Sequence, residues 1–356
     1  MTVNGDRDMT IDVMDIRFDR RGRLGIIILD RPQALNALTL PMVVALDRQL
    51  AAWGEDPAVA AVAIKSAGGR AFCAGGDIRA LYEASLRNDA YAREFYRVEY
   101  RVNHRIKTYA KPYIALIDGI AMGGGVGLSV HGSHRVVSER SQFAMPETGI
   151  GFFPDVGGTW FLPRLPGAVG TYLGLTGVRL VAADMLDAGI ATHYCPSTEM
   201  EFLVAELEEA TSVEAVLDRR FGSAGTAPLA AQRSIIDRCF AAGTVEEILS
   251  RLEHDASPWA QETSATIKKK SPTSLKVTVR QLRLGAGLAD FAAAMRLEYR
   301  LCQRLVHGHD FHEGVRAVVI DKDQAPHWQP ATLADVSDET VSQYFAPLDE
   351  PDLDLG

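Results

Sequence analysis

Two carboxylates, Glu147 and Asp155, stand in an otherwise largely apolar stretch, Phe143-Ala144-Met145-Pro146-Glu147-Thr148-Gly149-Ile150-Gly151-Phe152-Phe153-Pro154-Asp155-Val156-Gly157-Gly158. An acid in such a setting is costly unless something there uses it. Glycine lets a backbone come close to a ligand, and proline fixes the path of the loop. Upstream lie two glycine clusters, Ala74-Gly75-Gly76-Asp77 and Met122-Gly123-Gly124-Gly125. Gly76 ends a loop after a buried strand and Gly124 opens a helix. Both kinds of position leave N–H groups free, and the helix dipole adds positive potential at the second. Two such donors aimed at one oxygen form an oxyanion hole, where losing one donor costs ~10²–10³ in rate. The pattern points to an enzyme that holds an oxyanion while a carboxylate handles protons or water. A lone glycine run more often marks a tight turn, but two clusters beside two acids tip the balance. Each acid also has a plainer reading. Glu147 reads as a turn carboxylate and Asp155 as the N-cap of a helix starting near Gly157.

Other chemistries fit poorly. His131, His134 and His193 form no pair with a Ser or Cys, and Gly-x-Ser-x-Gly is absent, which argues against a Ser-His-Asp hydrolase. Gly123 to Gly127 lacks the spacing of a dinucleotide fingerprint and has no P-loop lysine. The four cysteines, Cys73, Cys195, Cys239 and Cys302, are far apart and show no metal-ligand spacing. They read as reduced thiols; Cys73 reads as packing rather than as a nucleophile. A net charge of −9 argues against nucleic acid as a partner. An anionic ligand needs only local cations, for which Arg31, Arg70, Lys111 and the run Lys268-Lys269-Lys270 are available. No apolar run approaches the ~20 residues that cross a bilayer, so no membrane partner is expected. The start, Met1 to Asp8, lacks the apolar stretch of a secretory signal and carries two acids. Transit peptides avoid acids, so the expectation is a cytoplasmic protein.

Elements must bring these residues together. Asp15 to Phe18 and Leu24 to Leu29 predict strands joined by the turn Asp19 to Gly22. Thr39 predicts an N-cap for a helix with Pro41 in its first turn, reaching Trp53. Val59 to Ser66 and Pro112 to Ile117 predict buried strands, Gly124 to His131 a helix, and Arg135 to Ser138 another strand. Strand, strand, helix units in this order predict an α/β arrangement whose turns stack on one another. From about Met185 the pattern becomes helical, with Glu201–Ala210, Pro228–Ala241, Val245–His254 and Leu288–His307 spaced as helices. Ser271 and Pro272 read as the N-cap and first residue of a helix. The tail beyond Asp321 reads as irregular surface chain.

The sequence resembles the crotonase (enoyl-CoA hydratase/isomerase) superfamily over residues 12 to 345. The general features are Arg31-Pro32-x-Ala34-Leu35-Asn36-Ala37-Leu38, Ala71-Phe72-Cys73-Ala74-Gly75-Gly76-Asp77-Ile78 and Asp118-Gly119-x-x-Met122-Gly123-Gly124-Gly125. Further motifs resemble the branch that hydrolyses short 3-hydroxyacyl-CoA thioesters. These are Val126-Gly127-Leu128-Ser129-Val130-His131-Gly132, Met145-Pro146-Glu147-Thr148, Phe153-Pro154-Asp155-Val156-Gly157-Gly158, Asp310-Phe311-x-Glu313-Gly314-Val315-Arg316-Ala317 and Ile320-Asp321-Lys322-Asp323.

This resemblance implies an α/β crotonase-like spiral of ββα turns over 12–220 and a helical C-terminal region over 221–345. It implies an acyl-CoA substrate whose carbonyl oxygen is held by the N–H groups of Gly76 and Gly124. Glu147 would be the main catalytic carboxylate and Asp155 its partner. Glu99, in a stretch resembling the family's F-x-x-E-Y helix, would touch substrate together with Gly124, Glu147 and Asp155. Hydratases of the family carry a glutamate where this chain has Gly127, and a small residue where it has Asp155. One carboxylate lost and another gained favours hydrolysis, with a place in valine breakdown, over hydration. A hydratase or isomerase on the same fold, and a non-catalytic acyl-CoA binder, are the alternatives. No metal and no cofactor is required, since CoA enters as part of the substrate. Family members are often trimers, and the longer C-terminal region here would cover that interface, so the expectation of a homo-oligomer stays open.

Overall fold

Continuous apolar strands need cover on both faces, and the runs Leu24–Leu29, Ala61–Ser66 and Tyr113–Ile117 find it in a seven-stranded sheet. The computed structural model describes residues 11–13, 15–219, 222–349 and 351–355. The strands are β1 (Ile11–Val13), β2 (Ile16–Arg21), β3 (Leu24–Leu29), β4 (Ala61–Ser66), β5 (Ala71–Cys73) and β6 (Tyr113–Ile117). They continue with β7 (Ile120–Met122), β8 (His134–Val137), β9 (Gln142–Ala144), β10 (Leu180–Val181) and β11 (His193–Tyr194). The large sheet runs β1-β2-β3-β4-β6-β8-β11, and a smaller one runs β10-β9-β7-β5. β3, β4, β6, β8 and β11 pair in parallel, as do β5, β7 and β9.

Each turn of the chain places one strand in each sheet: β4 then β5, β6 then β7, β8 then β9. The predicted ββα grammar is therefore a spiral whose short second strands build their own sheet. On one face of the large sheet, Ile27, Leu29, Val62, Ile64, Ala115 and Ile117 enter the main core. On the other, Ile26, Ile28, Ala63, Ile114 and Leu116 pack against Leu203, Val204, Leu207, Val216 and Leu217 of the helices Met200–Glu208 and Val213–Arg219.

Four helices matter for the site: α1 (Leu40–Glu55), α2 (Ile78–Leu86), α3 (Tyr91–Lys107) and α4 (Gly124–Gly127). α4 is shorter than the predicted Gly124–His131; beyond Gly127 the chain continues as hydrogen-bonded turns. Thr39 occupies the N-cap of α1 but makes no side-chain cap bond. Ser271 caps Pro272–Ala286 as predicted, accepting from the Ser274 N–H. The helix Pro258–Ile267 was not foreseen. The tail beyond Asp321 is mostly irregular but includes the helix Asp338–Tyr344. The expected division between residues 220 and 221 falls on positions outside the described residues. Among the described residues, no helix is long and apolar enough to cross a membrane.

Candidate active site

β5 and β7 are parallel neighbours, so the chain leaves both at the same edge of the small sheet. The two glycine turns that follow them meet there. A methyl group built on Gly75 would lie 3.7 Å from the Gly124 nitrogen. Gly124 is the first residue of α4, and no hydrogen bond to another described residue takes up its N–H or that of Gly76. A methyl group on Gly124 would stand 2.5 Å from Glu99 Oε1, and one on Gly123 would stand 3.5 Å from Glu147 Oε1. Two acids thus border the turns, and a side chain at Gly124 would collide with one of them.

Gly76, Glu99, Gly124, Glu147 and Asp155, all singled out in the sequence, line one cavity of about 530 Å³. Phe95, Tyr96, Leu81 and Phe152 give it an apolar wall, with Tyr96 and Phe152 stacked at 5.6 Å between ring centres. Val318, Gln324 and Pro326 close it from the C-terminal region, beside Lys269 and Lys270.

The acids are buried with little to neutralise them. Glu99, Glu147 and Asp155 are 2%, 6% and 5% exposed. Burial, then the charge of Asp155, raises Glu147 well above the usual carboxylate range; Lys270 partly opposes this. Burial also raises Glu99, followed by the charges of Asp155 and Glu298. Asp155 is pushed up to about 7 by burial, against the pull of the Tyr100 hydroxyl, which donates to Oδ2 at 2.8 Å. Among the described residues, neither Glu99 Oε1 nor Glu147 Oε2 has a hydrogen-bond partner. A carboxylate with a raised proton affinity and a free oxygen, facing a cavity, is suited to taking a proton from water.

Asp155 does not cap the following helix α5 (Gly158–Phe161); Gly157 occupies that N-cap. The N–H groups of Gly157 and Thr159 instead donate to Glu298 Oε2 and Oε1, both at 2.8 Å. Glu298 sits on Phe291–Leu305, is fully buried, and is raised to about 8 by that burial. Glu298 was not singled out in the sequence, and Tyr100 entered only as the last residue of the stretch resembling the F-x-x-E-Y helix, with no role of its own. A local signal for Glu298 did exist: it interrupts the buried stripe Met295, Tyr299, Cys302.

Position 127, where the resemblance implies a glutamate in hydratases, has no room for a side chain. A methyl group there would lie 2.6 Å from Asn103 Nδ2 and 2.8 Å from Val156 Cβ, so the space is already filled. Asn103 is fully buried, with neither amide atom hydrogen-bonded to a described residue.

Several other candidates do structural work. Arg31 pairs with Asp77 at 2.9 Å and Asp15 at 3.4 Å. Lys111 donates to the carbonyls of Trp53 and Asp56, and Lys268 pairs with Glu253. Of the cations considered for an anionic ligand, only Lys269 and Lys270 line the cavity. Cys73 is buried, which pushes its thiol up to about 12 and leaves it a packing residue. His131 is held near the Val156 carbonyl at 2.7 Å and lowered to about 3 by burial.

Residues 24–345 match the pattern of the family described as enoyl-CoA hydratase/isomerase. The chain belongs to this family. Similar proteins include the "3-hydroxyisobutyryl-CoA hydrolase, mitochondrial" of Rattus norvegicus, 49% identical over 352 residues, covering 96% of this chain and 91% of the relative. The Homo sapiens protein of that name is 46% identical over 353 residues, covering 95% and 90%. Among solved structures, a carnitinyl-CoA dehydratase from Mycobacterium thermoresistibile superposes with a TM-score of 0.92 at 41% identity, covering 96% of this chain and 99% of that one. An enoyl-CoA hydratase from Rhodobacter sphaeroides 2.4.1 gives 0.88 at 42%, with the same coverage. The expected crotonase-like spiral is therefore the fold of this family member, helical C-terminal region included. The names of the hydrolase relatives place those proteins in mitochondria, which lends no support to a cytoplasmic location.

Proposed function

We propose that this enzyme hydrolyses the thioester of 3-hydroxyisobutyryl-CoA, or of a close short 3-hydroxyacyl-CoA, to the free hydroxy acid and CoA. The thioester oxygen accepts from the Gly76 and Gly124 N–H groups, which stabilise the charge that develops on it. Glu147 takes a proton from water as the water oxygen bonds to the carbonyl carbon. Collapse of the tetrahedral intermediate breaks the C–S bond, and the thiolate leaves with a proton returned from the carboxylates. Direct attack by Glu147, giving an anhydride that water then opens, uses the same groups. Asp155 orients the substrate hydroxyl, and Glu99 lies beside the oxyanion site.

One observation carries hydrolysis over hydration. Asn103 and Val156 fill the place where a hydratase needs its second glutamate, and the replacement acid, Asp155, enters the cavity from another loop. The hydrolase names of relatives near 49% identity support the same reading. The names of the two structural relatives keep hydration as the rival. The purified protein is to be mixed separately with 3-hydroxyisobutyryl-CoA and crotonyl-CoA. Free thiol from the first alone is expected. Loss of the conjugated-enoyl absorbance from the second would make it a hydratase, and neither signal would leave a binder.

A further inference from the structure

We infer that Glu298 and Gln281, two buried residues of the C-terminal helices, are positioning residues that hold the Asp155 loop in its working shape and so set the preference for hydroxylated acyl groups. The inference rests on the proposed role of Asp155 at the substrate hydroxyl.

Within the loop Pro154 to Thr159, the Gly158 N–H donates to the Asp155 carbonyl at 2.8 Å, a turn bond that leaves the Pro154, Val156 and Thr159 polar groups to outside partners. Val156, a β-branched residue, adopts φ +48° and Gly157 φ +91°, a left-handed pair that side chains at Val156 resist. Such a shape persists only where its surroundings fix it, and here they act from four sides. Gln281 Nε2 donates to the Pro154 carbonyl at 2.7 Å and to Thr159 Oγ1 at 2.8 Å. Tyr100 donates to Asp155 Oδ2, His131 Nε2 meets the Val156 carbonyl, and Glu298 takes the N–H groups of Gly157 and Thr159. Glu298 and Gln281 are both 0% exposed.

A simple cap does not explain Glu298. A serine within the loop would satisfy an N–H at the start of α5 without burying a carboxylate. Such a local cap was the plain reading of Asp155 itself. Because Glu298 reaches in from a distant helix to take the backbone N–H groups, the Asp155 carboxylate is released from capping and faces the cavity. Gln281 fixes the residue before Asp155, and Glu298 fixes the second and fourth residues after it.

The test compares wild type with Glu298→Gln, Gln281→Met and, as reference, Asp155→Asn, on 3-hydroxyisobutyryl-CoA and on isobutyryl-CoA. Glu298→Gln keeps the size of the side chain but turns one acceptor into a donor facing an N–H. Gln281→Met keeps the volume and removes both donations. In both, the ratio of kcat/KM for the hydroxylated over the plain thioester is expected to fall about tenfold or more, as in the Asp155→Asn reference. Hydrogen exchange over residues 154–159 should rise in step, while exchange in β3, β4 and β6 stays unchanged. An unchanged ratio in the folded variants, or equal losses on both thioesters, overturns the inference, whatever happens to Tm. Should Glu298→Gln fail to fold, Gln281→Met decides alone. A wild type that cleaves neither thioester removes the function on which the inference stands. A wild type that cleaves both, with variants that keep the ratio, removes the inference only.

Discussion

At the scale of single residues, the site is a set of acids that cannot all be charged together. Glu99, Glu147, Asp155 and Glu298 are buried near one another, and the only hydroxyl bonded to Asp155 is that of Tyr100 among the described contacts. Their titrations are therefore shared rather than private. The base must lose its proton to work, and burial makes that harder. The acidic limb of kcat/KM should then lie above the ordinary carboxylate range, toward the value of about 7 assigned to Asp155. A pH–rate profile with its limb near 4.5 would contradict this. Glu147→Gln should lower thioester hydrolysis by about 10²–10⁴-fold, as expected for loss of a general base. The same change removes a buried charge, so stability should move the other way. Carboxylates with raised folded-state pKa values bind more protons folded than unfolded, so their cost grows as pH rises from the ordinary carboxylate range and levels off above the raised value. The Tm of Glu147→Gln should meet or exceed that of wild type, with the gap widening from pH 5.5 to 8.5. Thermal melts across that range check the sign.

At the scale of elements, legibility followed how local each signal was. β3 and β6 are continuous apolar runs and β4 is apolar through Ile64 before ending in Lys65 and Ser66, and the sequence shows them because burial on both faces leaves few polar positions. Ser271 with Pro272 announces a helix start through chemistry contained in two adjacent residues. The second sheet was hidden because β5, β7 and β9 are three residues each and merge into the glycine turns they support. Gly76, Gly124, Glu147 and Asp155 were legible as members of motifs. Tyr100 and Glu298 act on Asp155 from 55 and 143 positions away, counting from the residue numbers, and no short pattern joins them. Ser271 itself shows how one local signal conceals a distant role. Its hydroxyl caps Pro272–Ala286 and also donates to Asp310 Oδ2 at 2.5 Å, both groups being buried. Ser271→Ala should therefore cost more than an ordinary cap, about 2–4 kcal/mol, because it also strands a buried carboxylate oxygen. Denaturant melts measure this directly, and a loss below 1 kcal/mol would show the Asp310 bond to be immaterial.

At the scale of the whole molecule, the cavity is assembled from both ends of the chain. The spiral supplies the glycine turns and acids, while residues beyond Asp310 return to form part of the wall. That return is tied down twice. Asp310 accepts from Ser271 and from the Gln329 N–H, and the Trp328 indole donates to the Lys269 carbonyl, next to Lys270 at the cavity. Arg316 holds the segment between these ties. Its guanidinium meets Glu313, Asp321 and Asp323 at 2.6 to 2.8 Å and the Ala325 carbonyl at 3.3 Å. Within its span, Lys322 and Gln324 take φ +61° and +57°, a shape side chains adopt at some cost. Gln324 and Pro326 then reach the cavity. The carboxylates around Arg316 are partly exposed, so each pair contributes modestly, on the order of 1 kcal/mol or less. Releasing them should leave the core intact and loosen only this wall. Arg316→Gln is thus expected to raise KM for the CoA thioester roughly three- to tenfold, the size of one or two such pairs. kcat should stay within about twofold, because the acids and glycine turns are untouched. Steady-state kinetics separate the two constants. A fall in kcat with KM unchanged would mean that the returning segment takes part in the chemical step rather than in holding substrate.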